Sequence, residues 1–143
     1  MEGIKLTGKI TIRNRMTGEV LYTKENIITD NGLALIADRL EGNGVNYLTH
    51  FAIGDDTTPV SAGDTALGNE LFRKAFDSTS STGNVFSASC LVDVTEALFV
   101  WKEVGFLNAS SGGVLFSHLN IDYDHPSQAV NVIMTYEVTA TRT

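Results

Sequence analysis

The sequence predicts a mainly β domain: an antiparallel β-sandwich, jelly-roll-like or a small barrel, with one short α-helix near residues 31–41. Three observations carry this. Short runs alternate apolar and polar residues with period 2 and are separated by Gly/Ser/Asn/Asp clusters. One stretch alone has convincing helical spacing. The chain has 143 residues, 43% hydrophobic and 19% charged, enough for one domain with its own core and too apolar for a disordered tail. Residues 1–143 therefore read as a single β-sandwich domain, with the first hairpin, residues 1–28, as an arm for assembly contacts.

Taken in order, Ile4, Leu6, Ile10 and Ile12 share one face of a first strand, opposite Lys5, Thr7, Lys9 and Thr11. Gly8 falls on the apolar face, the signature of a bulge or a close backbone approach. Residues 14–19 form a turn, and a second strand runs from 20 to about 28. Leu33, Ile36, Ala37 and Leu40 then make a stripe at helical spacing, expected to pack on a sheet. Thr29 or Asp30 supplies the N-cap oxygen and Gly42 the stop. Strands follow at 47–53, 71–76, 85–94, 99–107, 114–121 and 130–140. Residues 54–68 form a long polar loop, 77–84 a Ser/Thr/Gly turn, 108–113 a hairpin loop with glycines suited to positive φ, and 122–128 another loop.

Charge and chemistry exclude several functions. Net charge is -7, and all of the excess lies after residue 50, where four basic side chains face eleven acidic ones. Nucleic-acid binding needs a basic face, so none is expected. The longest aliphatic run, Leu33 to Ala37, is far short of the ~20 residues of a membrane span. The first residues lack the layout of a signal peptide, so synthesis and use without Sec export is expected. The single cysteine, Cys90, excludes an internal disulfide and reads as a buried, inert thiol.

No nucleophile elbow, phosphate loop or dinucleotide fingerprint is present, and His50, His118 and His125 have no ligand spacing. They read as hydrogen-bonded strand or loop residues. No catalytic residue and no cofactor is expected. Asp55, Asp56 and Asp64 crowd one loop and are weak candidates for a calcium ion, with turn formation as the plainer reading. Asp122 and Asp124, either side of Tyr123, are weighed in the same way. A long structureless loop in a compact domain serves contacts more often than not. A first strand at a sheet edge could pair with a neighbour. The candidate assembly contacts are therefore Ile4, Leu6, Asp55, Pro59, Arg73 and Lys74. Arg73 and Lys74 are adjacent cations within reach of Glu70 or Glu103, and Gly54 and Gly68 bracket the loop with room for tight or left-handed backbone.

Four stretches carry a resemblance: Ala52-Ile-Gly-Asp55, residues 64–74 (Asp-Thr-Ala-Leu-Gly-Asn-Glu-Leu-Phe-Arg-Lys), Glu103-Val-Gly-Phe-Leu107 and Ser111-Gly-Gly-Val-Leu-Phe116. With the Thr17-Gly-Glu19 turn and the Asn26-to-Leu33 segment, they resemble a family of small virion structural proteins of tailed bacteriophages, which includes head decoration and tail-fibre-associated β-sandwich proteins. The resemblance implies a non-enzymatic building block that assembles with copies of itself, as a trimer, and with other virion proteins. As a capsid decoration (cement) protein it would bind the major capsid protein. The alternative is a tail-fibre or baseplate component, which could contact host glycans through Tyr47, Tyr123 or Trp101. Either implies a location in the virion after synthesis in the host cytoplasm.

Overall fold

A computed structural model describes residues 3–42 and 44–143; residues 1 and 2 of the expected arm, and Asn43, lie outside the described residues. The strands are β1 (Ile4–Asn14), β2 (Val20–Ile28), β3 (His50–Gly54), β4 (Glu70–Ala75), β5 (Ser78–Thr82), β6 (Val85–Val92), β7 (Val100–Leu107), β8 (Leu115–Asp124) and β9 (Val132–Arg142). Helix α1 (Asp30–Glu41) follows β2, and a single helical turn, α2 (His125–Gln128), follows β8.

All nine strands belong to one antiparallel sheet, ordered β4-β3-β7-β8-β2-β1-β9-β6-β5 and curled into a half-barrel. The two expected layers are thus two arms of one continuous sheet. Strand β2 makes it continuous: most of its length pairs with β1, but Ile27 and Ile28 pair with β8. At the opposite corner the two edge strands, β4 and β5, are consecutive in the chain. Between them the Phe76 N–H donates to the Thr49 carbonyl and the Asp77 N–H to the Ser89 carbonyl, one on each arm.

Strand β1 is not at an edge. It pairs with β9 from Ile4 to Asn14 and with β2 from Gly8 onward. Only residues 4–7 keep one unpaired side, so the arm reduces to a short ribbon of Ile4–Thr7 beside Thr139–Arg142, with Ile4 exposed at its tip. Gly8 marks a close approach, not a bulge: the Asn26 side chain lies where its Cβ would be.

The core fills the inside of the curl. Ile10, Ile12, Phe51, Trp101, Val104 and Phe106 are essentially sealed from water. Each such side chain contributes about 1.5–3 kcal/mol by burial. The Phe106 and Tyr136 rings stack at 3.7 Å and close β7 onto β9. The Tyr136 hydroxyl is bonded to Ser117 Oγ at 2.7 Å and accepts from Asn26 Nδ2 at 3.1 Å. Burial pushes this phenol up to about 12.

Cys90 belongs to the same core, and its thiol donates to the Ala75 carbonyl at 3.3 Å. Burial, aided by the nearby Asp77 charge, pushes the thiol up from 9.0 to about 12. At pH 8 its thiolate fraction is then roughly a thousandfold below that of an ordinary cysteine. The native chain should resist a maleimide or a disulfide reagent for hours and react at once in denaturant. Prompt labelling of the native chain would contradict this packing.

Helix α1 has the predicted ends: Thr29 Oγ1 accepts from the Gly32 N–H, and Gly42 adopts left-handed backbone with φ 76°. Its packing differs from expectation. The buried residues are Gly32 and Leu35, whereas Leu33 is 50% and Leu40 86% exposed. The predicted stripe thus points largely outward. The helix is held instead by Gly32, which lets its backbone touch the Phe116 carbonyl, and by Thr29, whose N–H and hydroxyl both bond to β8 carbonyls. Two further loops also differ. Residues 77–84 contain β5, and 122–128 contain the end of β8 and then α2, capped by Asp124. The hairpin loop at 108–113 does use positive φ, at Gly112 and Gly113. Among the described residues, no helix is long and apolar enough to cross a membrane.

Candidate functional site

The long loop at residues 55–69 is not a free contact loop along its length. It lies as a strap across the outer face of β3, β7 and β8. Leu67 anchors it in a small second core with Ala52, Leu107 and Leu115. Gly105 makes this nest: a Cβ there would come within 2.5 Å of Leu67 Cδ1 and 2.7 Å of Leu115 Cδ1. The strap also reaches α1, where the Asp30 N–H donates to the Ala62 carbonyl at 2.8 Å.

The main polar fastening is a buried carboxylate. Glu103, 1% exposed on β7, accepts from the Asp56 N–H at 3.0 Å and from the Gly68 and Asn69 N–H groups at 2.8 Å each. A fourth bond, 2.8 Å, comes from His118 Nε2 on β8. The other ring nitrogen of His118 lies 2.8 Å from Asp64 Oδ2. The ring thus bridges two carboxylates, one on β7 and one in the strap. A carboxylate that leaves water is tolerable only when hydrogen bonds satisfy its lone pairs. Glu103 has four such bonds, two on each oxygen.

Gly54 and Gly68 serve this contact by their lack of a side chain, not by left-handed backbone. A Cβ on Gly54 would meet Glu103 Oε2 at 2.6 Å and overlap the Asn69 carbonyl, and one on Gly68 would overlap the Asp56 carboxylate. Neither has positive φ.

The three aspartates proposed for a cation are each engaged in the strap. Asp55 Oδ1 accepts from Asn69 Nδ2 at 2.7 Å. Asp56 Oδ1 accepts from the Thr58 N–H and hydroxyl, which lower its pKa. Asp64 Oδ2 accepts from the Ser61 N–H at 2.8 Å as well as pairing with His118. Among the described residues, no group of three or more His, Cys, Asp or Glu is arranged to hold a metal ion.

Asp64 gives the strap a pH dependence. Burial works against its charge, but the Ser61 N–H and His118 outweigh it and hold its pKa below the ordinary 3.8. A depressed carboxylate pKa stabilises the folded form above the unfolded value and loses that contribution as pH falls through the folded one. The middle of the strap should therefore loosen below about pH 4. An NMR titration should show the Ser61 amide shifting in that range; a flat Ser61 signal down to pH 2 would contradict the assignment.

The expected contact residues are distributed differently. Arg73 forms a forked ion pair with Glu70, at 2.6 and 2.9 Å, and donates to the Ala109 and Gly112 carbonyls. Lys74 pairs with Glu96 at 3.0 Å and donates to the Leu91 carbonyl. Neither meets Glu103. These two cations brace β4 against its neighbours. Ile4, Asp55 and Pro59 are exposed and Leu6 half-buried. Of the three rings considered for sugar contact, Trp101 and Tyr123 are core residues and Tyr47 is exposed. His125 is buried with its Nε2 on the Asp93 carbonyl, and His50 lies beside Thr49 Oγ1. Asp122 pairs with Lys102 at 2.7 Å.

A separate cleft of about 240 Å³ opens between α1 and the sheet, lined by Leu35, Ile36, Leu48, Phe86 and Phe116, with Arg39 over the Tyr47 ring at its rim. It has no acid–base pair.

Sequence reasoning missed Glu103 and His118 as partners. One signal was available: an acidic residue and a histidine, each inside an apolar strand run, with Gly105 beside them. Comparison with protein families, with curated proteins and with solved structures finds no match.

Proposed function

We propose that the chain is a non-enzymatic structural component of a tailed-bacteriophage virion, a capsid decoration protein that sits as a trimer on the outside of the major capsid lattice. The observation that carries the reading is the use made of Glu103, His118 and Asp64. This carboxylate–histidine–carboxylate cluster has the composition of an acid–base relay. Both Glu103 oxygens are already bonded to strap amides, and one of them to His118 as well. The arrangement fastens a loop to a sheet and leaves Glu103 no lone pair directed at a substrate. A half-barrel braced in this way, with Arg73 and Lys74 tying down its edge strand, suits a block that bears load between neighbours. The sequence stretches that resemble those of phage virion proteins point the same way.

The number of copies per particle tests it. A decoration protein adds buried area between capsid subunits wherever it binds, and stabilises the shell by mass action. Quantitative mass analysis of virions should give hundreds of copies. A dozen or fewer would overturn the head assignment in favour of a tail or baseplate position. Absence from particles would overturn both.

A further inference from the structure

The outer face of the β2-β1-β9-β6-β5 arm carries a row of hydroxyls across five strands: Thr23, Thr11, Thr135, Ser89 and Ser78. Two residues along, the pattern breaks. The register places Val20, Arg13, Ile133 and Leu91 side by side on four adjacent strands, three of them apolar on a face that is otherwise polar there. Val20 is 49% exposed, and Ile133 and Leu91 are half-buried. The row ends at Asp77, whose carboxylate accepts from the Leu91 N–H and is exposed at the corner. Arg13 makes no ion pair among the described residues, unlike Arg73, Lys74 and Lys102.

We infer that this row is a contact between two copies of the chain, related by a two-fold axis at Ile133. The argument is charge complementarity. The row has a cation on one side of Ile133 and a carboxylate on the other, with Leu91 between. Strands lie about 4.8 Å apart. A two-fold axis at Ile133 sets Arg13 over Leu91 of the second copy, one strand from that copy's Asp77, a gap that an arginine side chain spans. The two Ile133 side chains meet at the centre, and each copy gives and receives one ion pair. Such an isologous patch is the usual basis of a dimer contact, and an unpaired arginine beside apolar side chains fits interface composition. This two-fold contact is separate from the three-fold association of the virion reading: its failure would leave the copy-number test open, and the reverse.

The test uses the full chain. Sedimentation of the wild type should show concentration-dependent association. Ile133→Lys, which opposes two like charges on the axis, should weaken it at least tenfold without moving the thermal unfolding curve, and Arg13→Glu should weaken it similarly. Ile133→Cys should give a disulfide-linked dimer on mild oxidation, because only residues near a symmetry axis meet their own copies. Wild-type association by Ile133→Lys, or no cross-linked dimer from Ile133→Cys, would overturn the proposal. The cross-link decides the matter if Ile133→Lys fails to fold.

Discussion

Replacing Glu103 by Gln should cost about 3 kcal/mol of stability, although the two side chains have the same shape. The carboxylate accepts three backbone N–H bonds and faces His118, and is itself only 1% exposed. Glutamine offers one acceptor oxygen and turns an NH₂ group toward the remaining donors. A hydrogen bond to a charged group contributes about 1.5–3 kcal/mol, and an orphaned buried donor costs about 1–3. The amide oxygen of Gln recovers part of that. Equilibrium unfolding in urea should show a lower midpoint for Glu103→Gln. Glu137→Gln on β9 is the control, because its side chain makes none of these bonds and should change the midpoint little. Equal midpoints for Glu103→Gln and wild type would mean that the strap is held without the Glu103 carboxylate, by Leu67 and its other bonds.

The second large effect runs against helix propensity. Alanine in place of a helical glycine normally stabilises by up to about 1 kcal/mol, and Gly32 lies in the first turn of α1. Gly32→Ala should instead destabilise by about 1–3 kcal/mol, the usual cost of overpacking. The added methyl would overlap the Phe116 carbonyl, which is backbone and cannot turn aside. The helix would have to lift from β8, straining the bonds from Thr29 to the Leu115 and Phe116 carbonyls. Leu40→Ala makes the contrast, because Leu40 is 86% exposed. It should fall within about 0.5 kcal/mol of wild type. If the denaturation midpoints ranked the other way, the helix would be packed through the stripe that its sequence suggests.

That contrast shows what the sequence could and could not tell. The ends of α1 were legible because capping is local: Thr29 meets the Gly32 N–H, and Gly42 turns left-handed, within a few residues. Its buried face was not. Periodicity identifies the most apolar stripe, and the fold buries the flank where glycine allows the closest approach. Strand β9 was legible from Val132, Met134, Tyr136 and Val138, all buried at period 2. Strand β5 was invisible, because Ser78 to Thr82 has no apolar residue and is exposed throughout at the sheet's edge. The continuity of the sheet depends on β2 changing partners at Ile27, which no alternation pattern records.

The strap posed a different difficulty. Its composition announced a long polar loop, and the loop is there. What fixes it are bonds from Glu103 to amides 34, 35 and 47 residues earlier in the chain. Backbone N–H groups leave no mark in a sequence, so Glu103 looked like a surface acid in search of Arg73 or Lys74. Arg73 found Glu70, one of the two partners expected, and Lys74 found Glu96.

The claim that the buried acid and histidine fasten the strap has a direct measure in amide hydrogen exchange of the native chain. The Asp56, Gly68 and Asn69 amides lie in a loop that is otherwise largely exposed, yet each donates to Glu103. They should exchange slowly, within about tenfold of the β7 core amides, because release requires opening of a cooperative unit. Exchange at the rate of an unstructured loop would show that the strap is loose, that Glu103 and His118 are not engaged with it, and that the case for a purely structural role has lost its main support.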